Sequence, residues 1–421
     1  MILINLKDIR KYTFIDLFAG CGGLSEGFLR TGRYEALAHV EWEKPMVKTL
    51  RNRLVTKWGE TESSAKEKTI FFDMQMTDEL INGHWSEVAL QNYGSDNSEL
   101  VKEKGLKGVV GDNHVDLIIG GPPCQAYSIH GRATDKNSMD NDYRNFLFES
   151  FCKVVDAFRP EIFVFENVAG LLSAKPGGIP VRNRIYNAFT NIGYKIKTPE
   201  DMPTALFDAA LFEVPQHRPR VIIVGIRNDS NFDIDDFYKS IKSQSKPDLK
   251  LTVKDAIGFL PALYPLDEPI KEGKAIRSHQ ICSDKSITQH EPRHHAKREQ
   301  QIFAEWVTNN MNHISHQAMI DYYMAKTGHK TLYQKYKSLE WDKPSHTVVA
   351  HLSKDGYMFI HPDPKQKRSI TIREAACLMT FPMDYQFLGS NAYNYKMIGN
   401  AVPVNFASAI ARGIYKELDK H

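Results

Sequence analysis

A thiol, a carboxyl group and two guanidinium groups stand at points of this chain where chemistry is readily placed. Cys124 follows the apolar run Val115-Asp116-Leu117-Ile118-Ile119 and closes Gly120-Gly121-Pro122-Pro123-Cys124-Gln125. A short β-branched run ended by Gly-Gly-Pro-Pro reads as a buried strand stopped abruptly, because proline has no N–H for a ladder and fixes its own φ. Cys124 then lies just past a strand's carboxyl end, the edge at which an open parallel sheet binds ligands. A thiol on a loop there is a candidate nucleophile; the competing reading is a buried structural cysteine. A second strand, 161–165, ends in Glu166-Asn167, and Gln216-His217-Arg218-Pro219-Arg220 leads into a third, 221–225. Alternate residues of extended chain point the same way, so Gln216, Arg218 and Arg220 share a face. The alternative is a solvated basic edge that blunts strand pairing.

Other elements must position these groups. Residues 14–18 read as a strand and Ala19-Gly20-Cys21-Gly22-Gly23 as its turn into a helix carrying Leu24 and Phe28. Glycines at such a turn let a ligand approach the backbone closely. A strand over 34–40 ends in Glu41-Trp42, about where dinucleotide-type folds place the acid that holds a ribose. Together the turn and the acid favour a nucleoside-containing cofactor over a structural turn. A strand over 69–72 ends in Asp73-Met74, and residues 82–111, with little periodicity, read as an inserted exposed excursion or flexible loop. The polar loop 125–145 beside Cys124 reads as a functional lid. Residues 146–158 are helical with Cys152 buried, and 193–197 form a short strand.

With 421 residues, 42% hydrophobic, the chain can bury a large core and hold two domains. A net charge of +3 is too balanced to argue for nucleic acid by itself. Local basic clusters (Arg293, Lys297, Arg298; Lys365, Lys367, Arg368, Arg373) read first as solvated faces. Five cysteines without a Cys-x-x-Cys pair indicate a reducing compartment rather than a disulfide framework. The first residues are too soon charged for a signal peptide and no apolar run reaches membrane-spanning length, so a soluble cytoplasmic protein without membrane contact is expected. From 228 to 345 the βα rhythm is lost, marking a second domain whose fold the pattern does not give. Its histidines (His279, His290, His294, His295, His313, His316) and Cys282 match no zinc spacing, so no metal is expected. Residues 347–350 and 357–360 flank Asp355-Gly356 as in a hairpin. Thr371 and Glu374 form a capping box opening a helix over 375–380 that Pro382 ends. Pro403 takes the first turn of a last helix striped by Ala407, Ile410 and Ile414.

In order, Phe18-Ala19-Gly20-Cys21-Gly22-Gly23, Glu41-Trp42, Gly121-Pro122-Pro123-Cys124-Gln125, Glu166-Asn167-Val168, Gln216-His217-Arg218-Pro219-Arg220, Arg373-Glu374-Ala375-Ala376 and Gly399-Asn400-Ala401-Val402-Pro403 resemble the motifs of the cytosine-5 DNA methyltransferases of bacterial restriction–modification type. The resemblance covers residues 12–227 and about 345–415. It implies an α/β class I S-adenosylmethionine-dependent methyltransferase fold, Rossmann-like with a mostly parallel seven-stranded sheet, and a second, smaller target-recognition domain. The large catalytic and cofactor-binding domain would comprise 1–227 plus 385–421, discontinuous because the last motif docks beside the first, and 228–384 would form the small domain. By position, S-adenosylmethionine, leaving as S-adenosylhomocysteine, would meet Phe18 on its adenine, Glu41 on its ribose and Asp73 with Met74 at the purine edge. Gly20, Gly22, Gly23, Trp42, Pro122, Asn167 and Asn400 would complete the pocket. Asp112 also precedes the Cys124 strand, but leaves no room for a helix before it, so Asp73 is preferred.

The resemblance also implies the chemistry. Carbon 5 of cytosine is a poor nucleophile until a thiolate, here that of Cys124, adds at carbon 6. Glu166 would share a proton with ring nitrogen 3, Arg220 would hold the carbonyl at position 2, and Arg218 would brace Glu166 or the loop. No residue is nominated as base for the carbon 5 proton, and a water-mediated route is expected. The target base must leave the duplex, with Ser128, His130 and Arg132 closing over it and Arg373 also on the DNA. The expected partners are double-stranded DNA and a cognate restriction endonuclease acting on the same site, with the enzyme a monomer. Alternatives are an RNA cytosine-5 methyltransferase and a catalytically silent DNA-binding member of the fold. A cysteine hydrolase using Cys124 and His130 leaves Glu41, Arg220 and Asn400 unexplained.

Overall fold

Runs of β-branched and aromatic residues with no polar alternation need cover on both faces, and parallel strands between helices supply it. In the computed structural model, which describes residues 10–123, 147–273 and 275–420, these runs form one sheet. Its strands are β1 Tyr12–Leu17, β2 Tyr34–Glu41, β3 Thr69–Phe71, β4 Leu117–Gly120, β5 Ile162–Val168, β6 Tyr194–Lys195, β7 Leu206–Asp208 and β8 Pro219–Arg227. The order is β3-β2-β1-β4-β5-β8-β6, with β7 also paired to β8. The pairs from β3 through β5 are parallel, and β8 runs antiparallel to β5, β6 and β7. This is the mostly parallel α/β sheet expected.

The chain divides into two compact units, one of residues 1–212, 219–247 and 402–421, the other of 213–218 and 248–401. The boundaries therefore fall elsewhere than at 228 and 384. The first unit carries the helices α1 Gly23–Leu29, α2 Lys44–Trp58, α3 Glu62–Lys68, α4 Thr77–Asn82, α5 Glu87–Tyr93, α6 Glu99–Val110, α7 Leu147–Phe158, α8 Val181–Asn191 and α9 Ile234–Ser243. The second carries α10 Val253–Ile257, α11 Lys297–Thr308, α12 His316–Thr327, α13 Ile372–Leu378 and α14 Asn391–Asn400, and α15 Val404–Leu418 returns to the first. Two glycines fix that return. A Cβ on Gly27 of α1 would lie 2.3 Å from Ala407 Cβ of α15, and one on Gly413 would lie 2.7 Å from Ile241 Cα of α9. Close approach of α15 to α1 and α9 thus places 234–243 with the sheet and makes the first unit discontinuous. Pro403 is the residue before α15 rather than part of its first turn.

Residues 82–111 are not a loop. Ser86 and Ser98 cap α5 and α6 by accepting the Ala89 and Val101 N–H groups. Between them Asn97, 3% exposed, accepts the Phe71 N–H at 3.0 Å and donates to Phe71 O at 2.9 Å. One side chain thereby completes the pairing of β3, the edge strand.

In the second unit, Trp306, Phe303 and Ile302 of α11, Met319 of α12, Tyr336 and Ile360 form an apolar cluster. Strands β9 Pro265–Glu272 and β10 Ala275–His279 pair antiparallel. The expected hairpin about Asp355-Gly356 is absent: residues 350–353 form a 3-10 turn, and Ile360 bridges to Ser338 and Ser369. Asp355 does shape a local turn by accepting the Tyr357 N–H, but the pairing partners are distant in sequence. The capping box of Thr371 and Glu374 is formed, with α13 ending at Leu378.

Candidate active site

Parallel pairing puts the carboxyl ends of β1 to β5 at one edge of the sheet, and antiparallel β8 brings its amino end to that edge. Phe18, Glu41, Asp73, Gly121, Glu166 and Arg220 therefore stand in a row that no local stretch of sequence contains. Asp112, exposed ahead of the amino end of β4, belongs to the opposite edge.

One half of the row suits a nucleoside. Phe18 (φ 57°) and Gly20 (φ 58°) both hold left-handed backbone. A bulky residue adopts that conformation only when its surroundings impose it, a common feature of ligand sites. The nearest atom to a Cβ on Gly20 would be Met46 Sδ, at 4.0 Å, so the turn leaves room in front of it. Glu41, 5% exposed, accepts the N–H of Gly20 at 2.9 Å on one oxygen and those of Trp42 and Glu43 at 2.9 and 2.7 Å on the other. Burial pushes its carboxyl up to about 7, against the lowering by these N–H groups. Its position is thus fixed by the backbone, with lone pairs left for hydroxyl donors. Trp42 is exposed, Met74 is buried, and Asp73 is half-buried, accepting from the Gln75 N–H and side chain. Gly22 is the N-cap of α1 and Gly23 its first residue, both buried.

Sequence reasoning passed over Asp16, the one acid within β1. It is 1% exposed, accepts from the Ser25 hydroxyl, and leaves its other oxygen without a partner. Burial raises it to about 7. A lone acid in an apolar strand was the available signal.

The other half of the row surrounds the entry to the Pro122-Pro123-Cys124 loop. Gly120 has no space for a side chain, since its Cβ would lie 2.3 Å from Leu17 O on β1. A Cβ on Gly121 would lie 2.7 Å from Glu166 Oε2, so the carboxylate rests on the Gly121 backbone. In the β5–β8 register Glu166 faces Ile222 and Val168 faces Arg220, which makes Glu166 and Arg220 diagonal neighbours on one face. Arg220 Nε reaches Glu166 Oε1 at 2.8 Å, with 11% and 12% of the two side chains exposed. Asn167 donates to Pro122 O at 3.2 Å and accepts the Val168 N–H at 2.8 Å. Pro122 is thus held from β5. Cys124, Ser128, His130 and Arg132 lie outside the described residues.

Two arginines are buried and bonded to carbonyl oxygens. Arg218, 1% exposed, donates to Val348 O at 2.6 Å, Gly399 O at 2.9 Å and Ala401 O at 2.8 Å. These bonds tie segments of the second unit, and the loop that Arg218 was expected to brace, after Cys124, lies outside the described residues. Arg373 is fully buried, donating to Thr288 O and Oγ1, Pro382 O and Tyr385 O. A guanidinium so engaged is a structural tie and not a phosphate contact. Gln216, Arg218 and Arg220 do alternate, but Gln216 and Arg218 belong to the second unit and Arg220 to the first. Asn400, the last residue of α14, is exposed in the second unit. Among the described residues no cluster of three His, Cys, Asp or Glu could hold a metal, and no helix is long and apolar enough to cross a membrane.

A sheet of this order, with its glycine turn after β1 and its acid after β2, is that of the class I S-adenosylmethionine-dependent methyltransferases. Residues 12–84 and 89–416 match the C-5 cytosine-specific DNA methylases. The chain belongs to that family, and it is a DNA (cytosine-5-)-methyltransferase. Membership implies S-adenosylmethionine as methyl donor and DNA as substrate. The type II methyltransferase M.Bpa9945I of Bacillus paralicheniformis is 33% identical over 97% of this chain and 99% of its own length. The type II methyltransferase M1.HphI of Haemophilus parahaemolyticus is 30% identical over 96% of this chain and 87% of its own. Among solved structures, a prophage-encoded E. coli protein shares the fold with a TM-score of 0.62 at 23% identity, covering 97% of this chain and all of that one.

Proposed function

We propose that this enzyme is the modification methyltransferase of a type II restriction–modification system, acting on a cytosine flipped out of duplex DNA through a covalent bond to Cys124. The observation that carries the reading is the Glu166 carboxylate lying against Gly121 and paired to Arg220, three residues before the thiol. The first unit serves cofactor binding and catalysis, and the second unit target recognition. The type II relatives, matched over nearly the whole chain, support the modification role. A cognate endonuclease, a monomeric state and a cytoplasmic location belong to the same reading.

In this mechanism the Cys124 thiolate adds to carbon 6 of the extruded cytosine, and the electron pair of the 5,6 double bond moves into the ring. Glu166 shares a proton with ring nitrogen 3 and so stabilises that charge, an assistance worth about 10² to 10⁴ in rate. Arg220 holds Glu166 from β8 and reaches the carbonyl at position 2. Asn167 fixes Pro122, and with it the start of the nucleophile's loop. Phe18, the Gly20 turn, Glu41, Asp73 and Met74 would bind the cofactor, which when bound supplies an electrophilic methyl group on a sulfonium. After transfer, loss of the carbon 5 proton to water and departure of the thiolate restore the double bond. Deuterium at carbon 5 tests that last step: a single polar substitution that traps the methylated adduct would replace water by a protein base.

The deciding experiment incubates the enzyme with labelled S-adenosylmethionine and unmethylated plasmid, maps methylcytosine at base resolution, and runs Cys124→Ser alongside. Methyl groups within one short motif, absent from the Cys124→Ser sample, are expected. Transfer to RNA alone, or cofactor binding without transfer, would overturn the reading. Protection of the plasmid from an endonuclease of the mapped specificity tests the modification role.

A further inference from the structure

Most apolar side chains of the second unit are covered, but the segment after α12 is not. Leu332 is 80% and Tyr333 64% exposed, and Leu332 is the most exposed large apolar side chain among the described residues. The segment is nonetheless built. Gly328 ends α12 in left-handed backbone, its N–H donating to Met324 O at 2.8 Å, and the Tyr333 N–H donates to Thr331 Oγ1 at 3.1 Å. Gln334 donates to Tyr336 O at 2.7 Å, and the Tyr336 ring is buried against Trp306, 5.4 Å between centroids. An ordered tip that presents a leucine and a tyrosine to solvent is organised for a partner.

Charge selects the partner. Residues 328–339 contain His329, Lys330, Lys335 and Lys337 and no acid. Phe259 and Ile281 are also exposed in this unit, and so are Ile270 and Ile276 of β9 and β10, where Asp267, Glu268 and Glu272 stand among Lys271 and Arg277 and Arg277 is paired with Glu272 at 2.7 Å. A segment with charges of one sign beside an exposed apolar and aromatic pair, its Lys335 over the Tyr323 ring at 5.7 Å, complements a polyanion with base edges behind its phosphates.

We propose that residues 329–337 form a DNA-reading loop, in which Leu332 and Tyr333 meet base edges and Lys330, Lys335 and Lys337 meet flanking phosphates. The inference rests on the reading of the enzyme as a DNA methyltransferase and names the element that selects its site. Side chains at the tip are those whose loss changes sequence choice, whereas the lysines act on any duplex alike.

The test uses the full-length enzyme with S-adenosylhomocysteine and short duplexes, one carrying the site mapped for the parent and one scrambled. Leu332→Ser and Tyr333→Ala should each weaken binding to the mapped site by about ten-fold while leaving the scrambled duplex nearly unchanged. The Lys330→Gln, Lys335→Gln pair should weaken both alike and take about two from the slope of log affinity against log salt. Tryptophan fluorescence and the thermal midpoint should match the parent, since the substituted side chains are outside the core. A parent that methylates DNA while the tip variants bind and select as it does would overturn this inference alone. A parent dimer dissolved by the tip variants would also overturn it, making a second copy the occupant. A parent that methylates no DNA would overturn the underlying reading and this one with it.

Discussion

The first unit and the second solve burial differently. Around the sheet the interior is mostly apolar: Asp16 and Glu41 are pushed up to about 7 by burial, and a single buried pair, Arg53 with Glu26 at 2.6 Å, ties α2 to α1. The second unit buries a wider polar network. Arg368 pairs with Glu374 at 2.7 Å through both carboxylate oxygens, the side chains 0% and 1% exposed, and His279, His290, His295 and His361 pack around them. Burial lowers the pKa of all four histidines, which favours their neutral forms. The Nε2 of His290 faces Pro261 O and that of His279 faces Gln366 O, so each carries a proton there, while the Nε2 of His295 accepts the Ser369 N–H. A parallel sheet gains its order from repetitive backbone pairing. A unit with little sheet needs specific side-chain bonds, and so it is the more sensitive to their loss.

The sharpest form of the contrast is catalytic. If reactivity belongs to the first unit, Glu166→Gln should lower the rate of transfer by about 10² to 10⁴, with affinity for S-adenosylhomocysteine unchanged. A Glu166→Gln enzyme of near-parental rate in single-turnover assays would end the assignment of proton sharing to this carboxyl group.

Breaking the network should show the structural side. Arg368→Met leaves Glu374 buried without its partner, which costs about 3–5 kcal/mol. Hydrogen exchange should then rise in peptides from 290–374 well before those from 12–41. Equal rises in both would mean that the two units unfold as one.

Acid should separate them in the same direction. Burial depresses His279 and His346 to about 4 and His361 to about 3. The unfolded chain takes up those protons below about pH 6.5 and the folded one does not, so stability of the second unit falls as pH drops from there to about 4. Each pH unit of displacement is worth about 1.4 kcal/mol per group. Asp16 and Glu41 are raised, so their contribution is lost as pH climbs through about 7 and regained on acidification; His39, lowered to about 4, opposes them in the same unit. Between pH 4.5 and 6.5, exchange protection should fall first in the second unit.

What the sequence disclosed follows the same division. The strands of the sheet, the glycine turn, Glu41 and Glu166 were legible because parallel strands buried on both faces leave continuous apolar runs, and the functional residues fall at their ends. Arg373 was misread because nothing local distinguishes an arginine that ties carbonyls from one that meets phosphate. The Asp355-Gly356 turn was legible, but Ile360 beyond it bridges to Ser338 and Ser369, and non-local partners leave no trace in a window of residues. In 82–111 the apolar period was too short to see, although Ser86-Glu87 and Ser98-Glu99 carried the signature of helix starts.

Residues 82–111 offer the smallest and most local test of the comparison. Asn97 is a side-chain bond of the second unit's kind within the first: it completes the edge of β3, and Phe72 beyond it packs on Trp85 at 4.4 Å and Tyr93 at 5.0 Å. Asp73 follows directly. Asn97→Ala removes both bonds to Phe71 and should cost about 1–3 kcal/mol, read as a lower urea midpoint. Because β3 ends at the cofactor half of the row, KM for S-adenosylmethionine should rise while KM for DNA stays. If Asn97 only blunts the edge, the midpoint will fall and both KM values will hold; if β3 sets Asp73 and Met74, the two constants will part.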